Sequence, residues 1–171
     1  MSRRLLAVLL PLVAMAALAS LPVLPARAAD PCALLSRADA AAVLGESVAG
    51  VTPAGPERDE ESGGQLTFCT WRAANAALVV SVVEFPSPAD ARKQLNANLV
   101  QDQKDGKDTK LVEEPGIGER SFWGETPKSA MMTFLKSNKV AGIAVGGAVR
   151  GPLAGRKAAL RKAALAIAES L

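Results

Sequence analysis

The stretch LTFCTWRAANAALVVSVVEF, residues 66–85, carries the clearest structural pattern in the chain. Two β-favouring runs, Leu66–Arg72 and Ala76–Phe85, flank a short connection of small residues, which predicts an antiparallel hairpin. Because side chains alternate along a strand, Cys69 and Trp71 share one face of the first run. The second run is apolar on both faces, as expected of a central strand that is covered on both sides. We therefore predict a sheet built around this hairpin.

Helices are predicted on both sides of the hairpin. Residues Ser36–Asp39 resemble a capping box with aspartate in place of glutamate, and Gly45 is a natural residue to follow the helix that they start. Residues Ser87–Asp90 carry the same signature, with proline at the first helical position, for a second helix that continues to about Lys104. The segment from about residue 151 to 171 has apolar residues at helical spacing and predicts a third helix.

The remaining segments predict a loop and more strands. Residues 46–65 combine prolines, glycines and acidic residues, which predicts a flexible acidic loop with room for a short strand over 47–51. Strands are predicted at 111–112 and 119–123, and a second hairpin over 128–146. This order of elements predicts an α+β fold, a mainly antiparallel sheet with three helices packed against one face.

The N-terminal segment predicts export. Arg3 and Arg4 precede a long apolar run, and residues 26–28 (Ala-Arg-Ala) offer a small-x-small cleavage site. These are the three parts of a secretory signal peptide, so we expect a signal over 1–28 that is cleaved after Ala28. An uncleaved anchor is the alternative, because the run approaches the roughly 20 residues that a membrane span requires.

After cleavage we expect residues 29–171 to form a single α+β domain that is periplasmic or secreted. No second apolar run is long enough to cross a bilayer, so no transmembrane segment is expected after the signal. Pro31 stands immediately before Cys32 and argues against lipidation of that cysteine.

Two cysteines, Cys32 and Cys69, are present in the chain. An even number of cysteines in an exported protein predicts a disulfide, and closing a loop of this length contributes roughly 4 kcal/mol in the loop-entropy description. The alternative is a redox or metal pair. Without a CxxC spacing or any histidine, two separated thiols do not suit a zinc site or a thioredoxin-type centre.

The charge distribution argues against nucleic acid as a partner. Residues 1–28 hold three of the 20 basic residues and none of the 17 acidic ones, so the remaining chain has no net charge. The charge is nevertheless uneven, at −7 over residues 30–127 and +7 over residues 128–171. Either the two regions pack together and neutralise each other, or the basic region meets an anionic partner.

The basic region supplies the candidate contact residues. Arg150 lies in a glycine-rich turn before the last helix, a context that can bind phosphate. Four further basic residues follow on the predicted helix, namely Arg156, Lys157, Arg161 and Lys162. They predict weak contact with anionic lipid, a wall polymer or an acidic protein, as in a surface-adhering module. The alternative is that the apolar stripe of the helix packs on the sheet while these charges remain solvated.

The composition disfavours catalysis. The chain has no histidine, which is the most frequent general base near neutral pH and a frequent metal ligand. No nucleophile-elbow or metal motif is present. We therefore expect no catalytic residues, no metal and no cofactor, and a hydrolytic enzyme is the less favoured alternative. The favoured interpretation is an exported, non-enzymatic binding or envelope-associated domain whose partner is an unknown protein or small ligand of the cell envelope.

Several short motifs are shared with a known family. Residues 30–35 read DPCALL, a helix is predicted to end at Gly45, and residues 69–71 read CTW. These features resemble the outline of a family of uncharacterised exported bacterial domains, domain-of-unknown-function family 3558. That outline consists of D-x-C-x-L-L, a helix that ends in glycine, and C-[TS]-[YW]. Residues 115–121 are similar to a G-[IL]-G-[DE]-x-A turn of that family, with serine in place of alanine. The resemblance implies a disulfide between the two cysteines and a fold akin to bacterial extracellular sensor-like and lipoprotein domains. It implies no catalytic residues.

Overall fold

The structure is a computed structural model that describes residues 30–60, 62–105, 110–147 and 156–171, with the side chains of 102–105 and 110 left out. The predicted signal peptide over 1–28 and the candidate contact residue Arg150 lie outside the described residues. Within them, helices and strands follow one another as α1 (Arg37–Leu44), β1 (Gly50–Arg58), β2 (Gln65–Arg72), β3 (Ala76–Glu84), α2 (Pro88–Asp105), β4 (Lys110–Glu113), β5 (Arg120–Glu125), β6 (Ser129–Lys136), β7 (Lys139–Gly147) and α3 (Lys157–Ser170).

The strands form one antiparallel sheet in the order β1-β2-β3-β7-β6-β5-β4. The predicted hairpin over 66–85 is confirmed as β2 and β3, with Cys69 opposite Val80. Strand β3 pairs on its other side with β7, where Val80 lies opposite Ile143, so β3 is central as predicted. The α+β class, the antiparallel sheet and the three helices are confirmed.

Residues 50–58 form an edge strand, so the loop predicted over 46–65 is wrong for this part of the chain. Strand β1 pairs with β2 from Gly50 opposite Arg72 to Arg58 opposite Gln65. The pairing shifts between Ala54 and Glu57, a β-bulge that contains Gly55 and Pro56. An outermost strand needs only the N–H groups that face its one neighbour, so prolines are tolerated there and also discourage edge-to-edge aggregation.

The larger core lies on the face of the sheet that contacts α1 and α3. We call this the two-helix face, and its central strands contribute Leu78, Val80, Ile143 and Val145, all at most 1% exposed. Leu44 from α1 and Ile167 from α3 are buried against it. The apolar stripe of the last helix thus packs on the sheet. This packing is the one expected under the alternative to an anionic partner, in which the apolar stripe is buried.

The opposite face of the sheet, which we call the α2 face, carries a smaller core. Ala91 and Leu95 of α2 are at most 1% exposed and pack with Leu135 and Val140 and with Phe85. The prediction that all helices pack against one face is therefore wrong. The physical reason is that the alternate positions near the ends of β6 and β7 are also apolar and require cover.

The predicted helix caps are present. The Ser36 Oγ accepts a hydrogen bond from the Asp39 N–H at 3.1 Å, and the Ser87 Oγ accepts one from the Asp90 N–H at 3.2 Å. Gly45 closes α1 with φ 71°, and its N–H donates to the Ala41 carbonyl at 2.9 Å. A left-handed residue at this position favours glycine, so the sequence signal that ends α1 is a direct backbone requirement.

The predicted disulfide between Cys32 and Cys69 is confirmed, with the two Cα atoms 5.2 Å apart. Cys69 has no exposed surface and belongs to the core on the two-helix face, while Cys32 packs beside it from the turn that precedes α1. The bond therefore joins the start of the described chain to the interior strand β2. This constrains the unfolded chain over a separation of 37 residues.

Replacing both cysteines, Cys32→Ala with Cys69→Ala, is expected to lower the free energy of unfolding by about 4 kcal/mol, because the unfolded chain regains the entropy of the open loop. Urea denaturation followed by tryptophan fluorescence measures this change. The wild-type protein under reducing conditions is the control and should show a similar loss. An unchanged denaturation midpoint in both samples would contradict a stabilising role for the bond.

Candidate functional site

A cleft of about 480 Å³ lies between α2 and the strands β4 and β5. This volume falls within the range of about 300–1,000 Å³ that small-molecule sites occupy. Its lining consists of an apolar set and a polar set, in chain order Asn96, Leu99, Val100, Leu111, Glu113, Arg120 and Phe122. It is the arrangement of these two sets that makes the cleft a candidate binding site.

Helical and strand periodicities bring the lining residues together. On α2, Leu99 and Val100 follow Asn96 by three and four positions, so all three project from the same side of the helix. In the sheet, Glu113 of β4 lies directly opposite Phe122 of β5. Side chains two apart on one strand share a face, so Arg120 and Phe122 both point towards α2.

The polar set is organised around the Arg120 guanidinium. Its Nε donates to the Glu113 Oε1 at 3.1 Å, and its Nη1 donates to the Asn96 Oδ1 at 3.0 Å. The guanidinium carbon lies 4.6 Å from the centroid of the Phe122 ring. Three elements thus hold one cation in a fixed orientation. The Arg120–Glu113 pair is 41% and 60% exposed, so it contributes at most about 1 kcal/mol to stability and mainly orients the charge.

The apolar set lies on both walls of the same cleft. Val100 of α2 is 50% exposed and lines the cleft. Leu99 packs at the edge of the smaller core, and Phe122, which is 8% exposed, forms part of that core. A ligand in the cleft would therefore cover apolar carbon while it meets the charged and amide groups beside it.

A second depression, of about 420 Å³, lies at the connection between β2 and β3. It is lined mainly by alanines and glycines, with Arg72 as the charged residue among its lining. It offers fewer converging polar groups than the cleft at Arg120. We therefore do not treat it as the candidate site.

Arg156 has a structural role, so its predicted contact with an external partner is wrong. The residue is 8% exposed, and its Nη1 donates to the carbonyl oxygens of Val43 at 3.1 Å and Leu44 at 2.7 Å. These carbonyls end α1, where helical hydrogen-bond partners are missing and the helix dipole favours a positive charge. The sequence pattern placed Arg156 on a basic helix face, but its position just before α3 turns the side chain inwards.

Lys157 and Arg161 contact an acidic residue of their own chain. The Lys157 Nζ lies 2.6 Å from the Glu114 Oε2, and the Arg161 Nε lies 3.3 Å from the Glu114 Oε1. Glu114 is 17% exposed, and the Lys157 Nζ also lies 5.5 Å from the centroid of the Trp123 ring. At this point the basic and acidic regions of the chain neutralise each other. We call these residues the Glu114 cluster.

Two hydrogen-bonding cations lower the pKa of Glu114 below its ordinary value of 4.5. The hydrogen bond from Lys157 is the largest cause and Arg161 adds to it, while burial opposes both. The fourth candidate, Lys162, is 84% exposed and lies 4.0 Å from Asp39. Lys162 therefore remains the most accessible of the predicted contact residues on α3.

The cleft residues Asn96, Glu113 and Arg120 were not identified from the sequence. They lie on α2, β4 and β5, and no local motif links them. The pairing of Glu113 with Phe122 was the missing information, because it depends on the register of two strands whose connection is six residues long.

Among the described residues, no group of three His, Cys, Asp or Glu side chains is arranged to hold a metal ion. No helix in this part of the chain is long and apolar enough to cross a membrane.

Replacing Arg156 with methionine is expected to lower the free energy of unfolding by about 2–3 kcal/mol, because two buried carbonyls lose a charged donor. Chemical denaturation measures the change. The matched control is Lys162→Met on α3, where the exposed side chain should change stability by less than about 0.5 kcal/mol. Equal effects of the two variants would show that Arg156 does not support the end of α1.

Replacing Glu114 with glutamine is expected to cost about 1 kcal/mol at pH 7, since both cations are partly exposed and solvent screens the pairs. The lowered pKa stabilises the folded protein above the carboxyl's ordinary pKa of 4.5, and this contribution is lost as the pH falls through the folded-state value. The difference between the wild type and Glu114→Gln, measured by urea denaturation, should therefore shrink below about pH 4.5. Glu113→Gln is the control, and an equally large difference for it would contradict the special role of Glu114.

No protein-family model and no curated protein matches the chain. Among solved structures, the chain is similar to the extracellular domain of PknH from Mycobacterium tuberculosis, at 16% sequence identity and a TM-score of 0.48. The match covers 81% of this chain and 92% of that chain. At this identity and score the similarity carries no inference about function, and membership of the family named from the sequence motifs stays a prediction.

Proposed function

We propose that this chain is an exported, non-catalytic binding domain that holds a small amphiphilic ligand in the cleft between α2, β4 and β5. The observation that carries the proposal is the cleft itself, where the oriented Arg120 guanidinium adjoins apolar carbon from α2 and β5. Sites for small ligands typically combine an apolar lining with a few oriented polar groups. A ligand with one polar end and one apolar part matches this arrangement.

The disulfide supports export. Disulfides form and persist in oxidising compartments, and Cys32 and Cys69 are at a separation that such a bond requires. The basic and apolar segments over 1–28 supply the expected targeting signal. A periplasmic or secreted location is therefore part of the proposal.

The polar groups of the cleft favour binding over catalysis. The Glu113 carboxylate accepts a hydrogen bond from Arg120, and this pairing orients the guanidinium. Asn96 adds a fixed acceptor to the same guanidinium. Such a preorganised set lowers the entropic cost of holding a polar ligand group. The chain also has no histidine to act as a general base.

The surface-adhering alternative has less support. It relied on four basic residues of the last helix, of which Arg156 is buried and Lys157 and Arg161 pair with Glu114. Lys162 retains 84% exposure, and a single lysine contributes only about 1 kcal/mol of attraction to an anionic membrane. The cleft is therefore the favoured site.

The test uses 1-anilinonaphthalene-8-sulfonate, a compact amphiphile whose fluorescence rises in apolar surroundings. The full-length chain is expressed, the exported protein is purified, and the probe is titrated into it. We expect saturable binding at one site. Val100→Asn should weaken it about fivefold to tenfold, because part of the apolar area that the probe covers becomes polar.

The matched control is Val112→Asn. Val112 is similarly exposed, at 41%, but lies on the two-helix face of β4, opposite Trp123. It should leave the affinity unchanged. Absence of saturable binding, or equal weakening by the two variants, would overturn the proposed function.

A further inference from the structure

The Arg120–Glu113 pair in the cleft is joined by a single hydrogen bond. The Arg120 Nε donates to the Glu113 Oε1 at 3.1 Å, and the Arg120 Nη1 donates to the Asn96 Oδ1. Within the described part of the chain, neither the Arg120 Nη2 nor the Glu113 Oε2 takes part in a hydrogen bond. Guanidinium and carboxylate groups frequently pair through two parallel hydrogen bonds. This pair therefore retains one donor and one acceptor for another group.

The remaining donor and acceptor lie next to each other. In the planar guanidinium, Nη2 is bonded to the same carbon as Nε, and in the carboxylate, Oε2 shares its carbon with Oε1. Both atoms are thus beside the existing hydrogen bond. The Arg120 and Glu113 side chains are 41% and 60% exposed, and both line the cleft. One small polar group in the cleft can therefore contact the two atoms together.

Asn96 adds a second donor at the same place. An arginine side chain can only donate, so the Asn96 oxygen must be the atom that faces Arg120. The amide nitrogen Nδ2 then remains a donor, and it forms no hydrogen bond to any described residue. The polar side of the cleft thus offers two N–H donors and one carboxylate acceptor. This set matches a ligand group that accepts and also donates.

The charges of the lining disfavour an ionic ligand group. Of the described residues that line the cleft, Arg120 is the basic one and Glu113 is the acidic one, so the lining has no net charge. An anion that accepts from Arg120 would lie beside the Glu113 carboxylate, and a cation that donates to Glu113 would lie beside the guanidinium. Either ion would also lose hydration next to Leu99 and Val100. An uncharged group avoids both costs.

We propose that the ligand of the cleft has an uncharged polar end that both accepts and donates hydrogen bonds, as a primary amide does, and that Glu113 determines this specificity. The oxygen of the ligand group accepts from Arg120, and its N–H donates to the second oxygen of Glu113. The inference rests on the proposed function, because the same cleft covers the apolar part of the ligand. Hydrogen bonds to charged partners are stronger than those between neutral groups, so both contacts favour such a ligand.

Three naphthalene derivatives of nearly equal size separate the effect of charge from that of hydrogen bonding. 2-Naphthamide accepts and donates, 2-acetylnaphthalene only accepts, and 2-naphthoate only accepts and is negatively charged. Each displaces the anilinonaphthalene sulfonate probe from the exported protein near neutral pH. We expect naphthamide to bind about fivefold more tightly than acetylnaphthalene, because of its hydrogen bond to Glu113, and about tenfold more tightly than naphthoate, because Glu113 repels the carboxylate.

The variant Glu113→Gln tests the residue itself. Its amide oxygen still accepts from Arg120, but an NH₂ donor replaces the second carboxylate oxygen and the charge is removed. Naphthamide should therefore bind about fivefold more weakly and naphthoate about fivefold more tightly, so the preference for the amide is lost. The sulfonate probe binds chiefly through its aromatic body, and as an anion it should also bind somewhat more tightly to this variant.

The matched control is Glu119→Gln, which removes the same charge one residue before Arg120. Glu119 pairs with Arg92 at 3.4 Å, is 45% exposed and does not line the cleft. This variant should leave the affinities of all three derivatives unchanged. An equal change in both variants would show that overall charge, and not Glu113, sets the preference, and would overturn the inference.

The inference is also overturned if the wild-type protein binds acetylnaphthalene or naphthoate as tightly as naphthamide, or if none of the three displaces the probe. An unchanged preference in Glu113→Gln has the same consequence. In each of these cases the sulfonate probe still binds at one site and still responds to Val100→Asn, so the proposed function stands. Absence of saturable probe binding to the wild-type protein would overturn both.

Discussion

The pairing of β3 with β7 is the constraint on which the rest of the structure depends. It runs from Ala76 opposite Gly147 to Glu84 opposite Lys139 and joins the strands that precede α2 to those that follow it. Without this pairing the chain would form two small sheets, each with an unprotected edge. The apolar residues of both strands make this long-range contact favourable because it buries them completely on the two-helix face.

The two faces of this sheet then have different roles. The two-helix face is closed by α1 and α3 and secured by the disulfide, by Arg156 at the end of α1 and by the Glu114 cluster. The α2 face is closed along one margin only. One helix does not cover seven strands, and among the described residues Val79 and Ala144 of this face stay partly exposed. The main stabilising contacts and the proposed binding cleft thus lie on opposite faces of the sheet.

Two arginines illustrate how environment separates these roles. Arg156 is buried and donates to backbone carbonyls, so its charge supports the fold. Arg120 is exposed and held by a carboxylate, an amide and an aromatic ring, so its charge has a fixed orientation in the proposed cleft at little benefit to stability. The environment also separates the roles of the basic residues near the C-terminus. Part of the basic region neutralises Glu114 inside the protein, and Lys162 stays available to solvent.

Features that depend on residues close together in the chain could be predicted from the sequence: the caps at Ser36 and Ser87, the glycine that ends α1, the central hairpin and the α+β class. Strand β1 was missed because its prolines and bulge resemble a loop until a neighbouring strand supplies hydrogen bonds. The packing of the folded chain places α2 on the face opposite α1 and α3, turns Arg156 inwards and brings Glu113 and Arg120 to Asn96. These contacts join residues from separate elements, and their positions follow from strand register and helix packing, which no local pattern encodes.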